Sequence, residues 1–144
     1  MTITFSTGEL GGRIPLVVDA GACSEGLEST IIAIEPRETL VTMFERACQR
    51  YRDRRAFASG RRVITYGQLD ELSRRFAAWL QSLPGVRPGD RVAVMLPNVL
   101  QYPVVLFGAW RAGMVVVNCN PLYTAHELEH QLRDSGATVL VIVG

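Results

Sequence analysis

Lysine is absent from this sequence of 144 residues: all 15 basic positions are arginine. Chemistry that runs through a lysine is therefore excluded for this chain by itself, including a Walker-type phosphate contact, a Schiff base and a lysine-polarised acyl phosphate. Cysteine is scarce as well. Cys23, Cys48 and Cys119 are odd in number, widely spaced and free of any C-x-x-C pair, which argues against a disulfide framework or a cysteine-rich zinc site and fits a reducing compartment. No basic segment followed by an apolar stretch opens the chain, so no secretory signal is expected and a cytoplasmic location is. The most apolar region, 99–117, carries Gln101, Pro103, Arg111 and Gly113 and reads as buried helix and strand rather than a membrane span.

What is present is a globular composition, 48% hydrophobic and 20% charged, with a net charge of +1. A chain of this length removes roughly 70% of its unfolded surface from water, enough for a core without disulfides or metals. Residues 1–36 hold Glu9, Asp19, Glu25, Glu28 and Glu35 against Arg13 alone. They read as a loosely structured leader, with one strand expected over 14–18.

From residue 37 regular periods begin. Thr39 is placed to cap a helix whose apolar positions are Leu40, Phe44, Ala47, Cys48 and Tyr51. Segments 56–59 and 62–65 around Gly60 read as a short hairpin. Thr65 with Gln68 forms a capping box for a helix striped by Leu69, Leu72, Phe76, Leu80 and Leu83. Beyond Arg91 the pattern becomes strand 92–96, a helix capped by Asn98 and ending at Gly113, strand 114–117, a helix capped by Thr124 with Glu127 and ending at Gly136, and strand 138–143. Pro103 requires that the first of these two helices begin near Gln101 or bend there. Apolar strands joined by helical crossovers make the fold class α/β, a parallel sheet with both faces covered, preceded by a helix and a hairpin.

Candidate chemistry is sparse. His126-Glu127-Leu128-Glu129-His130 matches the zincin pattern, two histidines at i and i+4 with a glutamate as general base. No histidine follows, Ala125, Leu128 and Leu132 define the apolar side of that helix, and Glu127 already serves the cap, so the pair is expected to face solvent with no metal. Ser6-Thr7-Gly8 with Gly11-Gly12 has the flavour of a phosphate-cradling loop but opens no helix. Arginines 46, 50, 52, 54, 55, 61 and 62 stand against Glu45 and Asp53 only, an excess of +5. That cluster reads as a solvated helix face and hairpin, with contact to an anionic membrane surface, a nucleotide phosphate or nucleic acid as its functional alternatives; no groove-reading pattern or aromatic interleaving accompanies it, so no nucleic-acid partner is expected. Asn98, Asn118 and Asn120 follow the carboxyl ends of two parallel strands, where open α/β sheets place ligands, and are the candidate pocket rim.

The stretch R-P-G-D-R-V-A-V-M-L-P-N-V-L-Q-Y-P-V-V-L-F-G-A-W-R-A-G-M-V-V-V-N-C-N-P-L-Y-T, Arg87 to Thr124, continued by E-L-E-H-Q-L-R-D-S-G, resembles the amino-terminal part of bacterial long-chain fatty acid CoA ligases of the adenylate-forming superfamily. The likeness reaches back through I-T-Y-G-Q-L and R-A-F and fades near Pro36. It implies an enzyme that uses ATP and Mg2+ to convert a fatty acid into an acyl adenylate and then passes the acyl group to coenzyme A. The phosphate loop, the ribose-holding acid and the catalytic lysine of that family have no counterpart here, so no catalytic or cofactor-binding residue transfers. Residues 37–144 are thus expected to be a truncated portion of a ligase domain, silent alone. An independent α/β interaction module and a small zinc enzyme are the alternatives. The final run V-L-V-I-V, 139–143, lacks charge and proline, so an exposed sheet edge there is expected to promote self-association, with Val141 as the position to test.

Overall fold

The computed structural model describes residues 38–143 and the backbone of two short paired strands, β1 (Thr4–Phe5) and β2 (Val18–Asp19). Val18 alone links β2 to the strand expected over 14–18; the rest of that segment, the proposed leader and the glycine-rich loop lie outside the described residues. The chain divides into two compact units, Met1–Met43 and Phe44–Gly144.

Helix α1 (Leu40–Arg50) begins where expected, with the Thr42 amide donating to Thr39 Oγ1 at 3.1 Å. Strands β3 (Arg55–Ser59) and β4 (Arg62–Thr65) form the antiparallel hairpin. Helix α2 (Tyr66–Ser82) starts at the full Thr65–Gln68 capping box. Its buried line is Leu69, Ser73, Ala77 and Leu80, so the expected stripe is rotated: Leu72 is 41% exposed. Ser73 takes the inner position because it serves the polar contact described below.

Strands β5 (Arg91–Met95), β6 (Val115–Asn118) and β7 (Val139–Ile142) make a parallel sheet in the order β6-β5-β7. Helix α3 (Gln101–Arg111) joins β5 to β6, and α4 (Ala125–Ser135) joins β6 to β7. Because the two crossovers run in opposite directions across the sheet, right-handed connections send α3 and α4 to opposite faces. Leu100 rather than Asn98 stands at the cap of α3, with no side-chain hydrogen bond. That start puts Pro103 in the first turn, where the amide it lacks would have had no helical partner. Gly136 closes α4 at φ +63°, the left-handed conformation that glycine adopts without strain.

One sheet face is well covered. Val92 and Val94, with Val116, Val139 and Val141, pack on Ala77 and Leu80 of α2 and Val105 and Ala109 of α3. On the other face Ala93 is fully buried at the centre, but Val115 and Ile142 are about half exposed, 49% and 55%. No residue of α4 is buried; Leu128 and Leu132 are only half-buried and Ala125 is exposed. The expectation of a sheet covered on both faces is therefore met on one side only. Val141 also turns inward, so Leu140 and Ile142 are the open positions of β7.

Candidate functional site

At the carboxyl end of β6, Asn118, one of the expected rim residues, meets α3. Tyr102, on the second position of α3, donates its hydroxyl to Asn118 Oδ1 at 3.0 Å. Burial pushes the Tyr102 phenol up, which keeps it a neutral donor. Asn120 is occupied locally: its Oδ1 accepts the Leu122 amide at 3.0 Å in an Asx turn. Asn98 sits exposed in the bend between β5 and α3. Among the described residues no hydrogen bond links Asn98 to either of the other two. Of the three expected rim residues, Asn118 is engaged by Tyr102, a contact not expected from the sequence, Asn120 is engaged within its own turn, and Asn98 is exposed.

The His126 and His130 side chains are exposed, as the helical spacing requires. Glu127 Oε2 accepts from the Thr124 amide and hydroxyl, both at 2.8 Å, and these bonds hold its carboxyl below the usual range. A carboxylate so engaged is a weak base. Among the described residues no group of three or more His, Cys, Asp or Glu side chains converges.

The densest polar constellation is one the sequence did not reveal. Arg111, in the last turn of α3, has a side chain only 6% exposed and pairs with the Asp70 carboxylate and, at 3.3 Å, with Glu45. Its second amino group donates to the Asp70 carbonyl at 2.9 Å and to Ser73 Oγ at 3.1 Å. The guanidinium lies 5.0 Å from the Phe44 ring centroid, and Phe44 stacks on Phe107 at 3.8 Å. Burial pushes Asp70 up, but hydrogen bonds from Arg111 and Arg74 outweigh it and hold the carboxyl low. Next to this network burial, reinforced by Asp70, raises the Cys48 thiol to about 11, so Cys48 is an inert core residue. Burial likewise raises the Cys119 thiol. The network joins α1, α2 and α3.

An open apolar groove of about 610 Å³ runs between β4, α2 and the start of α3, walled by Ile64, Leu72, Phe76 and Val104, with Gln68 and Glu71 at its edge.

Residues 44–143, which contain all of these features, match the family of AMP-binding enzymes. The chain belongs to the AMP-binding enzyme family. This family member is 59% identical over 106 residues to the long-chain-fatty-acid–CoA ligase of Escherichia coli O6:H1, an alignment covering 74% of this chain and 19% of that protein. It is 38% identical over 140 residues to the salicyl-AMP ligase / salicyl-S-ArCP synthetase of Mycobacterium tuberculosis, covering 94% of this chain and 24% of the other. Among solved structures, apo MbtA of Mycobacterium smegmatis superposes with a TM-score of 0.68 at 39% identity over 73% of this chain and 20% of that one. The chain thus spans about a fifth of the length of the long-chain ligases it matches. Among the described residues no helix is long and apolar enough to cross a membrane.

Proposed function

We propose that this chain is a non-catalytic portion of a long-chain fatty acid–CoA ligase, working in the cytoplasm with ATP, Mg2+ and coenzyme A as the ligands of the complete enzyme. The observation that carries the reading is the 59% identity over 106 residues to a long-chain-fatty-acid–CoA ligase. The residues present do not by themselves fit a nucleotide or its metal. The rim offers neutral amides, one acceptor of which is taken by Tyr102 and another by the Leu122 amide, and the chain has no lysine to meet a phosphate. Asn98, Asn118 and Asn120 are proposed as rim positions that orient a ligand held mainly by other groups. Residues 1–36 are proposed as a segment separate from the α/β portion, 37–144.

Fatty-acid-dependent exchange of pyrophosphate into ATP, measured on the purified chain with palmitate and Mg2+, tests this directly. The expected result is exchange at the level of the no-protein blank. Palmitate-dependent exchange above that blank would show a complete adenylation site and overturn the proposal.

A further inference from the structure

We propose that His126 and His130 form a two-imidazole chelate on α4 for a divalent transition metal of the Cu2+, Ni2+ and Zn2+ class, and that the bound cation staples this helix. They are the two histidines of the chain. Both are exposed, and among the described residues neither enters a hydrogen bond or an ion pair. Four residues apart on one continuous helix, they are turned about 40° from each other with Cβ atoms about 5–6 Å apart. Rotation of the two side chains lets one ring nitrogen of each reach a single cation at about 2 Å.

The ligand set decides the class of cation. Among the described residues no group of three His, Cys, Asp or Glu converges. Two imidazoles fall short of a zincin centre but suffice for an open chelate, in which water fills the remaining positions. Imidazole suits Cu2+, Ni2+ and Zn2+, whereas Mg2+ and Ca2+ take oxygen ligands. Two nearby acids are already engaged: Glu127 accepts from Thr124, and Glu129 holds Arg133 at 2.7 Å, which gives the one guanidinium of α4 a negative partner. Asp134 adds to the acidic excess of the helix, which favours a cation over an anion there.

The effect of the cation follows from how little holds α4. No residue of this helix is buried, and 11 residues sustained by local terms open readily in water. The opened segment offers its imidazoles singly, while the helix presents both to one metal. Binding therefore favours the helix, by a factor that grows with metal concentration relative to Kd. Because α4 is the crossover from β6 to β7, the same cation orders the connection into the edge strand. The proposal rests on this helix and not on the ligase reading.

Amide exchange of the whole chain, resolved by peptide with and without Ni2+, tests it. Saturating Ni2+ should slow exchange over 125–135 at least about fivefold; the ceiling at a hundred times Kd is about a hundredfold, and binding to single imidazoles of the opened segment lowers it. Exchange in α2 should not change, and Mg2+ at the same concentration should leave α4 unchanged. His126→Ala and His130→Ala, both at exposed positions, should each reduce the slowing to below about twofold. Alanine itself favours helix, so the quantity compared is the ratio of rates with and without metal within each variant. His130→Ala/Gln131→His keeps two histidines but turns them about 140° apart, and should respond as the single variants do. No slowing in the parent chain, equal slowing by Mg2+, slowing that survives either single substitution, or equal slowing in the displaced pair would each overturn the proposal.

Discussion

Without the Arg111 guanidinium, Asp70 would keep Arg74 as its main partner and the Phe44 face would lose its cation. Breaking a buried pair from one side costs about 3–5 kcal/mol. Asp70 keeps a fifth of its side chain in water, so Arg111→Met is expected to cost about 2–3 kcal/mol in urea unfolding at pH 7. The depressed Asp70 carboxyl makes part of that stability depend on pH. A group whose folded pKa lies below its unfolded value stabilises fully above the unfolded value, roughly 3.9, and loses that contribution as pH falls from there through the folded pKa. Asp70→Asn should therefore destabilise at pH 7 and narrow its gap to the parent protein by pH 3; a gap that widens on acidification would contradict the assigned network. Gly108 gives a second test. A Cβ there would sit 2.8 Å from both Phe76 Cδ1 and the Ser73 carbonyl oxygen, so Gly108→Ala is expected to cost about 1–3 kcal/mol by forcing α2 and α3 apart. At this scale the caps were legible, since Thr65–Gln68 and Thr124–Glu127 are contacts within four residues of chain. The Arg111–Asp70 pair spans 41 positions. An arginine set among Gly108, Ala109 and Ala112 shows that a counter-charge is needed, but nothing local says which acid supplies it.

Among the elements, α4 and β7 are the least supported. Helix α4 has a full capping box and a glycine stop but no buried residue, so its stability comes from local terms that sustain an 11-residue helix poorly in water. Amide exchange is expected to be fastest there among the helices of residues 44–143, and Thr124→Ala, which removes about 1 kcal/mol of capping, should speed it further while leaving α2 unchanged. Strand β7 is an edge, and each Val or Ile left exposed forgoes roughly 1.5–3 kcal/mol of burial. We expect self-association through this edge in sedimentation. Ile142→Lys should reduce it, whereas Val141→Lys, directed into the core cluster, should unfold the chain instead. The apolar runs revealed strands and their parallel class, but only the order β6-β5-β7 settles which alternate positions of an edge strand meet α2 and α3. The same reason explains Leu72: its place in a 3.6-residue stripe was legible, while the rotation of α2 toward Arg111 was set by a partner distant in sequence.

For the whole molecule, the fold class followed from continuous apolar strands separated by capped helices, and the family from a long ordered stretch of residues rather than from any reactive group. The proposed site was less legible because asparagines at strand ends have the same local signature as a set of turns, and the partner of Asn118, Tyr102, lies 16 residues away. The central claim is that residues 44–143 are the sheet-and-helix portion of a fatty acid–CoA ligase. Its most direct test replaces the matching segment of the Escherichia coli long-chain ligase with residues 44–143 of this chain and measures palmitoyl-CoA formation. The account predicts a folded chimera that retains at least about a tenth of the parent activity, and a folded chimera that forms no palmitoyl-CoA would contradict it.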